Sequence, residues 1–234
     1  MQAWFESFKE EFILNFVTKD RYMYIVKGLG VTLKVTFFAV ILGIVLGFII
    51  AIIRSTHDKT GKLKIGNLIC RVYLTVVRGT PVLIQLMIIY FVIFAPLRID
   101  KVMVAIIAFG LNSAAYVAEI VRGGLMSVNP GQMEAGRSLG LNYAQTMRLI
   151  VIPQAIKNIL PALGNEMITL LKDTSLVSVI ALRDVTKQAQ NIVSNTYQAY
   201  VPYVSLAIIY LVLVIILTKL LGIFERRLRE SDRR

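Results

Sequence analysis

Five runs of mostly apolar residues, each near the roughly 20 that cross about 30 Å of hydrocarbon as a helix, divide this chain. They are Val35–Ile53 with an extension back toward Ile25, then Val72–Phe94, Val102–Val121, Leu149–Leu171 and Tyr203–Phe224. A backbone in hydrocarbon must satisfy its own hydrogen bonds, so the runs predict an all-α integral membrane protein of about five transmembrane helices. Composition agrees: 17% of residues are charged, too few to cover a water-facing surface. Residues 25–224 then form one transmembrane domain, with a lead-in at 1–24 and a basic tail at 225–234.

Two runs carry breakers. Arg78-Gly79-Thr80-Pro81 interrupts the second, and Pro153, Pro161 and Gly164 fall in the fourth. Such residues are tolerated where neighbours or a water-filled path satisfy the freed backbone groups. In the first run, Gly43 and Gly47 have the GxxxG spacing that lets a second helix approach closely, although lipid-facing chance occurrence would look the same.

The net charge of +12 does not point to nucleic acid, because the basic residues lie between the apolar runs. Segments 54–71, 122–148 and 225–234 carry thirteen Lys and Arg, against eight in 1–24, 95–101 and 172–203. The positive-inside bias therefore puts the N-terminus outside and the tail in the cytoplasm. Residues 1–24 have scattered charges and no apolar core after a basic start, so they do not read as a cleavable signal. Trp4, Phe8, Phe12 and Phe16 recur every four residues. That stripe fits an amphipathic helix on the outer interface, or a lead-in packed on its own bundle.

Cys70 and His57 are the only residues of their kinds, which excludes a disulfide framework and a multi-ligand Cys/His metal site. No nucleophile–base spacing suggests catalysis, and no cofactor is implied. A GxxxxGK[ST] phosphate loop is absent, so the chain cannot hydrolyse ATP by that route.

Between the third and fourth runs lies Ser127-Val-Asn-Pro-Gly-Gln-Met-Glu-Ala-Gly-Arg-Ser-Leu-Gly-Leu141. Asn129 suits an N-cap, Pro130 the first helical position, and Gln132 the reach-back of a capping box. Gly140 suits a left-handed stop after Leu139. These signals predict a helix of about ten residues outside the bilayer. A well-capped helix in a connecting loop needs something to hold it, its own bundle or a docked partner.

Glu134-Ala135-Gly136, then Gly140, then Ile150-Val-Ile-Pro153 after nine residues, resembles the EAA loop of binding-protein-dependent ABC import permeases. The family pattern has Ala where Gly136 stands and Leu where Ile152 stands. Arg78–Gln85, Tyr116–Gly124 and Gly164–Ser178 further resemble the polar amino-acid branch, of histidine, arginine or glutamine type. The match covers roughly residues 25 to 224. The resemblance implies the type I importer fold, with the EAA segment (within 127–153) as a cytoplasmic coupling helix. It also implies a bacterial inner membrane and a second permease subunit, expected to be an identical copy. ATP-binding cassette subunits would lie beneath, with an extracytoplasmic solute-binding protein above. Glu134, Ala135, Gly136 and Gly140 are then the coupling residues, and a polar amino acid is the substrate; that it is a basic one rests on two carboxylates of the fourth run, Glu166 and Asp173. An ion-coupled secondary transporter is the alternative, but it would normally show two related halves, and the surroundings of the two breaks do not repeat.

Ionisable and polar residues inside spans are candidates for function by default. Asn112, Tyr116 and Glu119 share one face of the third run, and Glu166, Thr169 and Asp173 one face of the fourth. Arg78 and Glu119 fall at comparable depth and are expected to pair. Glu166 and Asp173 would favour a substrate carrying positive charge. The alternative is that Glu166 caps broken backbone near Gly164 or pairs with Lys172 or Lys157. Asn112 suits either an interhelical hydrogen bond or a substrate contact. Thr80 and Gln85, at and after the first break, complete the set.

Overall fold

The computed structural model describes residues 2–230; the side chain of Trp4 and residues 231–234 of the basic tail lie outside what it describes. Helix α1 (Gln2–Phe12) leads through a π-helical turn into α2 (Tyr22–Thr60). The α3 (Lys64–Gly79) and α4 (Val82–Ile88) helices follow, then α5 (Lys101–Met126), α6 (Pro130–Ser138) and the single turn α7 (Tyr143–Thr146). Then come α8 (Ile152–Asp173), α9 (Val185–Thr196) and α10 (Tyr200–Glu230). No strand occurs among the described residues.

Among the described residues, helices α2, α5 and α10 are each long and apolar enough to cross a membrane, and the sharply bent α3–α4 pair reaches that length only when its two arms are taken together. The remaining run of the sequence is α8, which carries Gln154, Lys157, Asn158, Glu166 and Asp173. It buries Ala155, Ile159, Ile168, Leu170 and Leu171, so its apolar face meets protein. At 39 residues α2 is roughly 58 Å long, well beyond the hydrocarbon thickness, and ends where Gly61 turns left-handed with φ 66°.

The core is the α2–α5 pair. A Cβ on Gly47 would fall 2.5 Å from Val117, and one on Gly43 2.9 Å from Ser113. Gly110 returns the fit, since its Cβ would meet Leu42 at 2.6 Å. The GxxxG spacing is thus a packing face, and buried Ala39, Ala114 and Ala115 extend the close approach.

The second run is broken where expected. The α3 and α4 axes meet at 111°. Pro81 has no N–H to donate, and it pushes Thr80 out of the helical region to φ −124°, ψ 147°. The fourth run differs from expectation. Helix α8 continues from Ile152 through Pro161 and Gly164 to Asp173, so Glu166 caps no broken backbone there. Gly164 serves close approach instead: its Cβ would fall 2.3 Å from Leu221 of α10. Pro153 lies where the π-helical turn Met147–Val151 passes into α8, and that wider turn accommodates a residue with no N–H to donate.

On the far side from α6, the 172–203 segment between the fourth and fifth apolar runs contains α9. Asp184 caps it, accepting from Thr186 N at 3.0 Å and Lys187 N at 2.8 Å. The same turn presses on Gly28 of α2, and Val185 N donates to Thr32 Oγ1 at 3.2 Å. The lead-in packs on this end of the bundle. Phe16 is buried with Ile192 and Val201, and Phe8 packs against them, while Phe12 stays half exposed.

Candidate functional site

Three polar clusters line α5 and its neighbours, and a fourth element lies at one membrane face. The first centres on Glu119. Its carboxylate takes Arg54 Nη1 at 2.8 Å, Arg122 Nη2 at 3.1 Å and Arg78 Nη1 at 3.7 Å. The expected Arg78 contact is present, but it is the longest of three. Arg122 was legible as the i+3 neighbour of Glu119 on one helix. Arg54 was not, because it comes from α2, 65 residues away, and only the helix pairing brings it in. One carboxylate facing three guanidinium groups leaves two positive charges unbalanced, and the Nε atoms of Arg54 and Arg122 are buried without a partner.

The second cluster spans the α3–α4 break. Gln85 Nε2 donates to Val77 O at 2.8 Å, Thr80 O at 3.0 Å and Thr80 Oγ1 at 2.8 Å. Asn112 Nδ2 donates to Gln85 Oε1 at 2.9 Å. The amide of Gln85 thus satisfies the Val77 carbonyl that Pro81 leaves open and ties in Thr80 beside it, and Asn112 fixes which way that amide points. Thr80, Gln85 and Asn112 act as one bracket, so the interhelical bond weighed for Asn112 exists.

The third cluster lies on α8. Glu166 Oε1 accepts from Ser113 Oγ at 2.8 Å, across from the residue next to Asn112. Its partner is therefore neither Lys172 nor Lys157, and Ser113 is a residue the sequence reading passed over. Thr169 is exposed and returns its hydroxyl to Asn165 O at 3.1 Å. Asp173 ends the helix on the same face, half-buried. Tyr116 stands between Asn112 and Glu119 on α5 and is 39% exposed.

At the membrane face shared by the ends of α5 and α8 lies α6. Asn129 Oδ1 accepts from Gly131 N at 2.8 Å, the expected N-cap. Gln132 makes no capping box; it accepts from Gln154 Nε2 at 3.1 Å, tying α6 to α8. The capping box in this segment belongs to Asn142 and Gln145 of α7. At its other end α6 stops in a Schellman motif: Gly140 N bonds Arg137 O at 3.0 Å and Leu141 N bonds Gly136 O at 3.2 Å. Gly140 has φ 85°, the left-handed value expected of it. Glu134 and Ala135 are exposed, and Leu139 is 79% exposed at the tip.

Gly136 alone of this group is buried. A Cβ there would fall 2.5 Å from Thr146 Cγ2, and Thr146 is fully buried with its hydroxyl on Asn142 O at 3.0 Å. The alanine of the pattern it resembles therefore does not fit this chain. Alanine would gain about 1 kcal/mol of helix propensity, but overpacking against a β-branched, hydrogen-bonded neighbour costs about 1–3 kcal/mol. Gly136→Ala is expected to loosen the segment and speed protease cleavage within 127–148. Adding Thr146→Ser, which removes the closest clash and leaves Ile150 Cδ1 at 2.9 Å on a flexible side chain, should restore most of the protection; cleavage unchanged in Gly136→Ala would refute the packing argument.

Comparison with known proteins places these features in context. Residues 43–230 match the model of the binding-protein-dependent transport system inner membrane component family. The arginine transport system permease protein ArtQ of Bacillus subtilis (strain 168) is 39% identical over 211 residues, 89% of this chain and 94% of that protein. The glutamine transport system permease protein GlnP of Escherichia coli (strain K12) is 37% identical over 199 residues, 84% of this chain and 90% of that one. Among solved structures, an amino acid ABC transporter crystallised with histidines superposes with a TM-score of 0.83 at 44% identity, over 91% of this chain and 98% of its own.

Proposed function

This chain belongs to the binding-protein-dependent transport system inner membrane component family, and from that premise we infer that it passes polar, preferentially basic, amino acids across a bacterial inner membrane. The substrate class is arginine, lysine or histidine, with glutamine as the neutral case. An ion-coupled mechanism has no support in the family. The chain supplies the path and no catalysis; a separate ATP-binding cassette subunit hydrolyses ATP, and an extracytoplasmic solute-binding protein delivers the substrate. The observation that carries this reading is α6, a helix capped at both ends that holds Glu134, Ala135 and Leu139 outward between two spanning helices. If α6 meets the ATPase, its face is cytoplasmic. Chain parity then puts the end of α10 on that side and α1 and α9 on the outer side.

A second copy of the chain completes the path. Five spans of this length scarcely enclose a gated channel, and α10 turns none of its most apolar window into this subunit's interior. Symmetric pairing is the usual way oligomers close.

The substrate amine would be held by the α8 acids. Glu166 spends Oε1 on Ser113, which leaves its second oxygen for a charge-assisted bond, and Asp173 offers another carboxylate two turns on. Glu119 is a poor candidate, since three arginines already hold it. Losing one charged partner in such a site costs about 1.5–3 kcal/mol, or roughly 10- to 100-fold in affinity. In reconstituted vesicles Glu166→Gln and Asp173→Asn are expected to cut uptake by that factor. Basal ATP hydrolysis and docking of the solute-binding protein should stay nearly unchanged. A larger loss for arginine than for glutamine supports the preference for cations. Normal uptake by both variants would place the substrate elsewhere.

A further inference from the structure

A crevice of about 410 Å³ opens beside α6, between the end of α2, the end of α5 and the α7–α8 junction. Its walls are Ile52, Val121, Leu125 and Ile152, and its rim holds Ser55, Lys59 and Tyr143. Ile52 is 61% exposed and Ile152 39%, so the apolar end faces outward toward lipid. The Lys59 ammonium donates to the Tyr143 hydroxyl, sits 4.8 Å from that ring and 3.9 Å from Met147 Sδ. None of these partners is a carboxylate.

Depth decides what this arrangement suits. The apolar run of α2 ends near Ile53, and Lys59 lies about 9 Å further along the axis at 1.5 Å per residue. The hydrocarbon wall and the cationic rim are therefore spaced as an acyl chain and a headgroup are. A tyrosine and a lysine side by side at that level are the usual interfacial anchors. We propose that the crevice binds one anionic phospholipid, with an acyl chain between α2, α5 and α8 and its phosphate on Lys59. Because Tyr143, Met147 and Ile152 directly follow α6, the lipid wedges the segment on which α6 rests. Binding of the lipid does not depend on which amino acid is carried.

The test uses the assembled permease–ATPase complex in nanodiscs of equal parts phosphatidylglycerol and phosphatidylcholine, released into mild detergent for native mass spectrometry. One basic residue near the headgroups is worth roughly fivefold in anionic preference, so the wild type should retain phosphatidylglycerol over phosphatidylcholine by about that ratio. Lys59→Gln should abolish the preference. Lys62→Gln, an equal charge change in the exposed turn beyond the crevice, should keep it. Ser55→Phe, with Lys59 intact, should fill the crevice and lower retention of both lipids. Equal retention of the two lipids by the wild type, equal losses in the two lysine variants, or unchanged retention in Ser55→Phe would each overturn the proposal. So would absence of bound lipid because a partner subunit fills the crevice.

Discussion

Glu119→Gln is expected to lower the stability of the assembled protein by about 2–3 kcal/mol, because three guanidinium groups lose the one carboxylate they share. The figure is set below the range for fully buried pairs, since the Glu119 side chain remains 22% exposed. Arg54 is the most enclosed of the three, at 19%, and is left with the least solvent to replace its partner. The effect should therefore be non-additive. Glu119→Gln combined with Arg54→Gln should unfold at a higher temperature than Glu119→Gln alone, whereas Glu119→Gln with Arg78→Gln should recover less. Arg78 is 47% exposed and its contact is the longest, so water already screens it. Thermal melts of the four proteins in one detergent decide the matter. Equal melting of Glu119→Gln and wild type would show that the cluster contributes no net stability.

The second large effect falls on α6. Gly140 has open space around its Cβ position, so any substitution there acts through backbone conformation alone. Its φ of 85° is strained for a β-branched residue by about 1–3 kcal/mol, and the Schellman bonds to Gly136 O and Arg137 O depend on it. Gly140→Val should cut substrate-stimulated ATP hydrolysis about tenfold or more while affinity for the solute-binding protein holds. Gly140→Asn, which tolerates the left-handed region, should keep most activity. Glu134→Lys inverts an exposed charge on the proposed docking face and should produce the same uncoupling without disturbing the helix. Normal stimulation in both Gly140→Val and Glu134→Lys would remove α6 from the coupling path. Failure of Gly140→Asn alongside Gly140→Val would mean that the glycine itself is contacted.

What could be read from the chain alone was set by interactions within about one helical turn. Apolar run length determined the helices. Pro81 and Thr80 determined the bend, and Asn129, Pro130 and Gly140 both ends of α6, because each acts on backbone groups a few residues away. Pro161 defeated the same logic: the close fit of Gly164 against Leu221 lies where α8 packs on α10, and the helix runs on through the proline. Charge partners were beyond reach for a related reason. Whether Glu119 meets Arg54, or Glu166 meets Ser113, depends on how α2, α5 and α8 are rotated about their axes and how closely they approach. Gly43, Gly47 and Gly110 set that approach, because a Cβ at any of them would fall under 3.0 Å from the facing helix. The sequence therefore determined the apolar membrane helices, the α3–α4 bend and both ends of α6, but it did not mark α9. The tertiary structure decided which polar groups share a site, because those contacts join residues 53 and 65 positions apart.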